Sequence, residues 1–313
     1  MHAVTNFSSL NAAPFLLLVA LGGTEAATAQ LVVLTTPPAP TQLKTSWPEI
    51  NLNVVVLDKS EDPVEQVPSA NFHLFEDGSE RPIKSLAALD SPVSIAFVID
   101  SSGSTYMRRG LYTEVVKRVA NALPAGSEVM ITQFDDQVKL VLPFTPASSA
   151  DLSFLNILDS RGRSVMFDAV VTSEQYFSEH AHFAKRALVL LSDGGEDASL
   201  SQEGSVLRYL QWPGSPEPYM FVIRSIPSDD EARNVRTMKT LATAGGGVAF
   251  VERKPSDIVT LATLLSAAIR CQQVLSFTSA DRARDGKNHK IELRFPYKNL
   301  KIHVLPQYFA PAK

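Results

Sequence analysis

Cysteine is almost missing from this sequence: Cys271 is the only one in 313 residues. A single thiol excludes an intramolecular disulfide and any cysteine-based zinc cluster. Its place at the end of an apolar helical pattern marks it as a small buried residue. Basic runs are missing too. Lys and Arg number 29 against 33 Asp and Glu, a formal charge of −4. With no positive field to hold phosphates, nucleic acid is not expected as a partner. His73, His180, His182 and His289 lack ligand-like spacing, and no G-x-S-x-G elbow is present to support a serine hydrolase.

Long apolar runs are lacking as well. Residues 14–21 (PFLLLVAL) are too few to span a bilayer as a helix. They are followed by Ala27-Thr28-Ala29, a small-x-small cleavage pattern. Residues 1–29 are therefore expected to be a signal peptide cut after Ala29, with Gln30 as the mature start. The chain is then secreted or periplasmic, with no transmembrane helix in its mature form. No cysteine follows the apolar run, so lipoprotein anchoring is excluded. Residues 30–46 carry Thr35-Thr36-Pro37-Pro38-Ala39-Pro40 and read as an extended linker without a core-forming pattern.

What remains is globular in composition, 45% hydrophobic and 20% charged. Residues 47–90 are β-rich. Strands are expected at 52–58, at 71–76 before the Asp77-Gly78 turn, and at 82–86, each alternating as in a half-exposed sheet. The character changes at Val93, where VSIAFVI reads as a strand buried on both faces and ends on an acid. Leu111, Val115, Val119 and Leu123 then mark a helix. Strands follow at 129–134 and 138–144, and helical patterns at 151–158 and after Ser164. Strand 187–191 (ALVLL), a helix at 201–210, and strand 219–226 come next. The capping box Ser228-Asp229-Asp230-Glu231 opens a helix to Gly245, strand 248–251 follows, and Ser256 caps a helix through Arg270. Alternating strands and helices over 91–271 predict an α/β fold, doubly wound, its mostly parallel sheet covered by helices on both faces. Residues 272–313 return to strands at 274–277, 290–295 and 300–305, the last two joined as a hairpin by Pro296-Tyr297-Lys298-Asn299. Neither β-rich end can bury a sheet face well alone, so 47–90 and 272–313 are expected to pair into one small β-domain around the α/β unit.

Three loops carry the chemistry. Asp100-Ser101-Ser102-Gly103-Ser104 follows the first buried strand, where open α/β sheets place their ligands. One turn aims the Asp100 carboxylate and the Ser102 and Ser104 hydroxyls at a single point, and Gly103 lets the backbone bend between them. Gly162-Arg163-Ser164 opens a helix. Ser192-Asp193-Gly194-Gly195-Glu196-Asp197 follows the ALVLL strand, with Asp193 in the position equivalent to Asp100. Two carboxylates and three hydroxyls form an all-oxygen set that suits Mg²⁺, Mn²⁺ or Ca²⁺, not zinc or copper. The neutral serines leave such an ion electrophilic, with reason to take an acidic oxygen from outside. Asp135, Asp136, Asp168 and Asp197 are expected in turn, cap and surface roles.

D-S-S-G-S after a buried strand resembles the D-x-S-x-S metal-ion-dependent adhesion site of von Willebrand factor type A domains. That resemblance implies a hydroxyl from a second loop and an aspartate from a third. Ser164 in R-S-V-M-F-D-A stands where the family commonly has Thr in G-T-A-L-Y-D-A, and Asp193 in L-S-D-G-G-E-D matches its last aspartate. P-Q-Y-F-A-P in the tail and F-H-L-F-E-D-G upstream are similar to a secreted bacterial subgroup described from acidobacteria. The likeness extends from Asn51 onward. It implies a divalent-metal site of Asp100, Ser102, Ser104, Ser164 and Asp193, Mg²⁺ first and Mn²⁺ or Ca²⁺ as alternatives. It also implies a protein or other partner that presents a carboxylate, and adhesion rather than enzymatic function. Ser164 lacks the methyl that limits a threonine's rotamers. Arg161 and Arg163 occupy a loop often rich in glycine, where a guanidinium either weakens metal binding or holds an acidic partner.

The competing reading is a phosphatase of the haloacid dehalogenase type, with Asp100 as nucleophile and S-D-G-G-E-D as its acidic metal loop. Such enzymes need an acid two residues after the nucleophile to protonate the leaving group. Ser102 stands there instead.

Overall fold

The apolar runs that end on polar residues become parallel strands of one sheet, and the β-rich ends become a sandwich beside it. The structure is a computed structural model describing residues 32–34, 49–65, 67–86, 89–157, 161–224, 230–280, 284–310 and 312. The expected signal peptide, the Pro-rich stretch at 35–40 and the Ser228 end of the expected capping box lie outside the described residues. In chain order the strands are β1 (Val32–Leu34), β2 (Glu49–Leu57), β3 (His73–Glu76), β4 (Ser79–Arg81), β5 (Ser85–Leu86), β6 (Val93–Asp100), β7 (Glu128–Phe134), β8 (Val138–Pro146), β9 (Lys185–Ser192), β10 (Glu217–Val222), β11 (Val248–Val251), β12 (Gln273–Thr278), β13 (Asn288–Arg294), β14 (Lys301–Val304) and β15 (Gln307–Phe309). The helices are α1 (Arg109–Asn121), α2 (Met166–His180), α3 (Glu203–Leu210), α4 (Glu231–Ala244) and α5 (Ile258–Cys271).

The central sheet runs β1-β8-β7-β6-β9-β10-β11. From β7 through β11 its neighbours are parallel, while β8 and β1 add an antiparallel edge. Every residue of β6 is buried, and its side chains divide by the period of two. Ile95, Phe97 and Ile99 pack with Val115 and Val119 of α1 and Leu265 and Ile269 of α5. Ala96 and Val98 pack with Val170 and Phe177 of α2 and Met238 and Leu241 of α4. Each large side chain so buried contributes roughly 1.5–3 kcal/mol. The fold is thus a mixed, mostly parallel sheet with helices on both faces.

The two end segments interleave. One antiparallel sheet runs β14-β2-β12-β5 and the other β15-β13-β3-β4, so each takes strands from both ends of the described chain. Ile50, Leu52, Val54 and Val56 of β2 share a core with Leu74, Leu275, Phe277, Ile291 and Tyr308. The opposite face of β2 sends Val55 and Leu57 into the α/β core beside α5. Expected to be half-exposed, β2 is instead buried on both faces, because it is shared between the sandwich and the α/β unit.

Several local expectations are corrected. Pro296–Asn299 does not close a hairpin: β13 pairs with β3 and β15, whereas β14 pairs with β2, so the turn carries the chain from one sheet to the other. The strand expected at 82–86 is shortened to its last two residues, and a separate strand precedes it. Ser79–Arg81 returns directly from the Asp77-Gly78 turn onto β3, and Ser85–Leu86 pairs with β12. Pro82, which has no N–H to give a ladder, lies between them. The helix expected at 151–158 is a short 3-10 turn, Ser153–Ile157. Val32–Leu34, expected as linker, is the edge strand β1.

Glu76 ties the sandwich together. Its buried carboxylate accepts from Arg81 Nε at 2.7 Å, from the hydroxyls of Ser279 and Tyr308, and from the Ala280 N–H at 3.2 Å. Burial pushes this carboxyl up, but those hydrogen bonds outweigh it and hold the group below the usual carboxylate range. Next to it, His289 stacks on Tyr308 with 5.3 Å between ring centres. Its Nδ1 lies 2.7 Å from Asp77 Oδ2 and its Nε2 3.2 Å from Asp285 Oδ1. Partial burial lowers the imidazole pKa, but bonds and charges from both aspartates outweigh this and hold it above the ordinary value. The stabilisation is therefore complete below the unfolded histidine's pKa and is lost as pH rises through the raised folded value. The urea midpoint of the wild type should fall through that window relative to His289→Gln. Parallel pH profiles of the two proteins would contradict this role.

Candidate functional site

Strand order reverses at β6. The chain passes through α1 to β7 and β8 on one side, then returns through α2 to β9 on the other. Strand ends at such a switch point are where open α/β sheets bind ligands. Asp100 is the last residue of β6, Ser192 is the last of β9, and Asp193 follows it. Since β6 and β9 are paired neighbours, both carboxylates emerge from the same edge.

Asp100 is buried and fully engaged. Oδ1 accepts from the Ser102 N–H at 2.9 Å and from Ser102 Oγ at 2.6 Å, and Oδ2 accepts from Ser192 Oγ at 2.6 Å. Ser102 Oγ is 3.2 Å from Ser104 Oγ. Thr105 fixes the turn by donating its hydroxyl to the carbonyls of Ser102 at 2.9 Å and Asp100 at 3.2 Å. The second loop is joined to the first through Gly103 N–H to Gly162 O at 3.0 Å and Arg161 N–H to Ser101 O at 2.9 Å. It meets the third loop at Ser164, whose Oγ donates to Gly195 O at 2.7 Å and whose N–H donates to Asp197 Oδ1 at 2.8 Å. Asp193 Oδ1 accepts from the Gly195 N–H at 2.9 Å. Ser102, Ser104, Ser164, Asp193 and Arg163 line one open depression of about 390 Å³. Asp100 stands behind Ser102 and does not line it.

Two glycines permit this approach. Gly162 has φ +76°, and a Cβ there would lie 2.2 Å from Asp136 Oδ2. Gly194 has φ +84°, and its Cβ would lie 2.8 Å from the Asn234 carbonyl oxygen. Any side chain at either position meets both strain and overlap.

Burial, and after it the charge of Asp193, push the Asp100 carboxyl up to about 7 despite the lowering bonds from Ser102 and Ser192. The same two carboxylates, after burial, raise the Tyr112 hydroxyl well above its ordinary value. That hydroxyl is buried without a hydrogen-bond partner among the described residues. It borders a cavity of about 10 Å³ next to Asp100, the room one water needs. Among the described residues no group of three or more His, Cys, Asp and Glu side chains is placed to hold a metal ion. A cation here would depend on serine hydroxyls beside two acids. The donor chemistry fits a hard divalent cation, since every donor is oxygen and the buried acids repel each other until a positive charge lies between them.

Arg163 is exposed and turned to the third loop. Its guanidinium donates to the Asp197 carbonyl, and Nε lies 3.9 Å from Asp197 Oδ1. Arg161 is exposed and holds its place through its backbone bond to Ser101. Sequence reasoning missed Ser192, whose hydroxyl also accepts the Gly194 N–H at 2.9 Å; its place as the last residue of a buried strand beside Asp193 was the available signal. Asp168, expected in a turn, cap or surface role, is buried. Both its oxygens accept backbone N–H groups, from Leu200 and Ser201 at 2.8 Å each, fixing the end of the third loop. Glu196 was missed as well: it accepts the Phe167 N–H at 2.8 Å in the first turn of α2.

Replacing Ser192 by Ala removes one donor from a buried carboxylate and one acceptor from the Gly194 amide. The expected loss is roughly 1–3 kcal/mol of folding stability, read from urea denaturation. An unchanged midpoint would show that the bridge contributes nothing.

The family model of the von Willebrand factor type A domain matches residues 95–196, the span from β6 to the third loop. No curated protein matches the chain in sequence. Among solved structures, a von Willebrand factor type A protein from Catenulispora acidiphila is similar at 11% identity and TM-score 0.49, covering 87% of this chain and 76% of that one. The pilus adhesin SpaC from Lactobacillus rhamnosus GG is similar at 10% identity and TM-score 0.49, over 79% of this chain and 49% of that one. The PilB minor pilin from Streptococcus sanguinis is similar at 12% identity and TM-score 0.45, over 57% of this chain and 61% of that one. Residues 95–196 of this chain therefore belong to the von Willebrand factor type A domain family.

Proposed function

We propose that this chain is a metal-dependent interaction module that works outside the cytoplasm and grips a partner's carboxylate. The ion, Mg²⁺ first and Mn²⁺ or Ca²⁺ as alternatives, would be held by Asp100, Ser102, Ser104, Ser164 and Asp193. One observation carries this reading: two buried acids end adjacent strands beside a depression floored with hydroxyls, and burial together with the charge of Asp193 pushes the Asp100 carboxyl up. When bound, the ion supplies an electrophilic centre with a coordination position for an oxygen from outside. Asp100 and Asp193 supply charge, Ser102, Ser104 and Ser164 supply neutral oxygens, and Ser192 and the Ser102 amide orient Asp100. Arg163, now on Asp197, stands at the rim where it can turn to an acidic partner, and Arg161 is placed beside it. Work outside the cytoplasm rests on the signal-peptide reading of residues 1–29. Among the described residues no helix is long and apolar enough to cross a membrane. The phosphatase reading gains no support, because Ser102, bonded to Asp100 itself, stands where the leaving group's acid would be needed.

The electrostatics give the test a sign. A folded pKa of about 7 lies above the 3.8 of a free aspartate. Without a cation, stability therefore falls as pH rises from the lower value to the upper one, by about 4 kcal/mol in full. A cation offsets that loss and must displace the Asp100 proton to do so. At tenfold excess over Kd, Mg²⁺ should stabilise by roughly 1.4 kcal/mol and raise Tm by about 3–5 °C. At one fixed magnesium concentration the shift should be larger near pH 8 than near pH 6, because less of the Asp100 proton remains to be displaced. Asp193→Ala should abolish it while raising the stability of the metal-free protein. Identical melting curves in magnesium and in chelator at both pH values would refute an ion at this site.

A further inference from the structure

A cleft of about 300 Å³ lies at the other pole of the central sheet, between β2 and the start of β9. The second face of β2 accounts for it. Val55 and Leu57 on that face enter the α/β core. Glu49, Asn51 and Asn53 precede them on the same face, are polar, and line the cleft instead. The opposite wall comes from Ser178 of α2, from Phe183 and Arg186 at the entry to β9, and from Pro213 before β10. Asn53 joins the walls: it accepts from Gln272 Nε2 at 2.6 Å and donates to the Ser215 carbonyl at 3.4 Å.

Arg186 is the unusual group here. Its guanidinium is partly buried, and Nε and Nη1 donate to the Phe183 and Gly214 carbonyls at 3.0 Å each. Those two bonds hold it in one orientation. Its remaining nitrogen, Nη2, has no hydrogen-bond partner among the described residues, and no carboxylate there is in ion-pairing reach of the group. Burial lowers its pKa, and the charges of Glu174 and Glu128 offset this only through space. Glu174 is a weak counter-charge, since burial pushes its own carboxyl well above the ordinary value. Cations taken out of water are normally paired with an anion. Across the cleft, the Asn51 amide also has no side-chain partner among the described residues. Two preordered donors thus face a cleft with no anion between them.

We propose that this cleft binds a small organic acid that carries hydroxyl groups beside its carboxylate, either a free hydroxy acid or a sugar acid. The carboxylate takes the open edge of Arg186 in a charge-assisted bond, with the Asn51 amide as second donor. The hydroxyls donate to oxygens already on the walls. Ser178 Oγ gives its own proton to the Gln175 carbonyl at 2.9 Å and so offers its lone pairs. Glu49, which accepts from Ser276 Oγ at 2.5 Å and lies 3.8 Å from Lys84 Nζ, keeps further acceptor positions. A bare anion would leave these acceptors unmatched and would face the charge of Glu49. Phe183 and Pro213 give the carbon skeleton an apolar side. Small-molecule sites run to roughly 300–1,000 Å³, so one ring or a short chain fills this one. The cleft shares no residue with the strand-end loops, and its ligand is independent of the metal reading.

The test titrates the full-length protein with glucuronate, malate, glucose and acetate in buffer freed of divalent cations, read by saturation-transfer difference NMR. Glucuronate or malate should bind saturably, and the tighter of them separates the sugar acid from the free hydroxy acid. Glucose lacks the carboxylate and acetate lacks the hydroxyls, so each should bind about tenfold more weakly or worse. Asn51→Ala should weaken the preferred acid roughly two- to tenfold at unchanged melting temperature, because that side chain has no partner to lose. Arg186→Lys should weaken it further and leave glucose unaffected. Absence of saturable binding by either acid would overturn the proposal. So would glucose or acetate binding as tightly as the preferred acid, or acid binding unaltered in Asn51→Ala.

Discussion

A sheet covered by helices on both faces leaves charged groups only one place to go, the ends of its strands. Every side chain of β6 is buried, and the carboxylate that ends it is the one charged group the strand offers. The reversal of strand order then brings the end of β9 beside it. Two acids meet where desolvation is severe, and the three loops are organised around that repulsion. Ser102 and Ser192 donate hydroxyls to Asp100, the Ser102 and Gly195 amides point at carboxylate oxygens, and Asp168 and Glu196 fix the loop backbones from behind. The hydrophobic packing of the sheet thus creates the electrostatic problem that defines the site.

The sandwich meets a different constraint. With one cysteine, no disulfide can staple segments that lie some two hundred residues apart in the chain. Interleaved strands do so instead, with β2 between β12 and β14 and β3 beside β13. Glu76 adds a polar anchor among four elements. A buried carboxylate with this many donors is favourable only while all of them are in place, which rewards one arrangement of the two sheets over a slipped one.

Much of this was legible from local pattern. The VSIAFVI and ALVLL runs read as buried strands because both faces are apolar. The loops after them announce themselves because serine, glycine and aspartate are poor candidates for strand interiors. What was not legible depends on partners distant in sequence. Nothing in LNVVVLD says that its second face meets α5, and nothing in Pro296-Tyr297-Lys298-Asn299 distinguishes a hairpin from a crossing between sheets. Val32–Leu34 is too short to show a period, and its pairing with β8 is set by the open edge it finds. Asp168 looked like an ordinary first-turn acid because its two acceptor bonds go to amides more than thirty residues away. Ser192 was hidden by its proximity to the more conspicuous Asp193.

The chain enters and leaves the α/β unit at the pole opposite Asp100. Lys185, at the start of β9, donates to the carbonyls of Leu89 at 2.6 Å and Arg270 at 2.7 Å, the residues just before entry and just before exit. Gln272 continues the knot, donating to Asn53 Oδ1 at 2.6 Å and to the Arg186 carbonyl at 2.8 Å. Tension between a molecule held at the strand ends and the sandwich would run lengthwise along β6 and β9. The rungs of that ladder lie across the strands, so they would be sheared together rather than unzipped one by one. In mechanical terms the central sheet would then be a tie-rod, with the strand ends at one pole and the sandwich at the other joined by the element best able to resist being pulled apart.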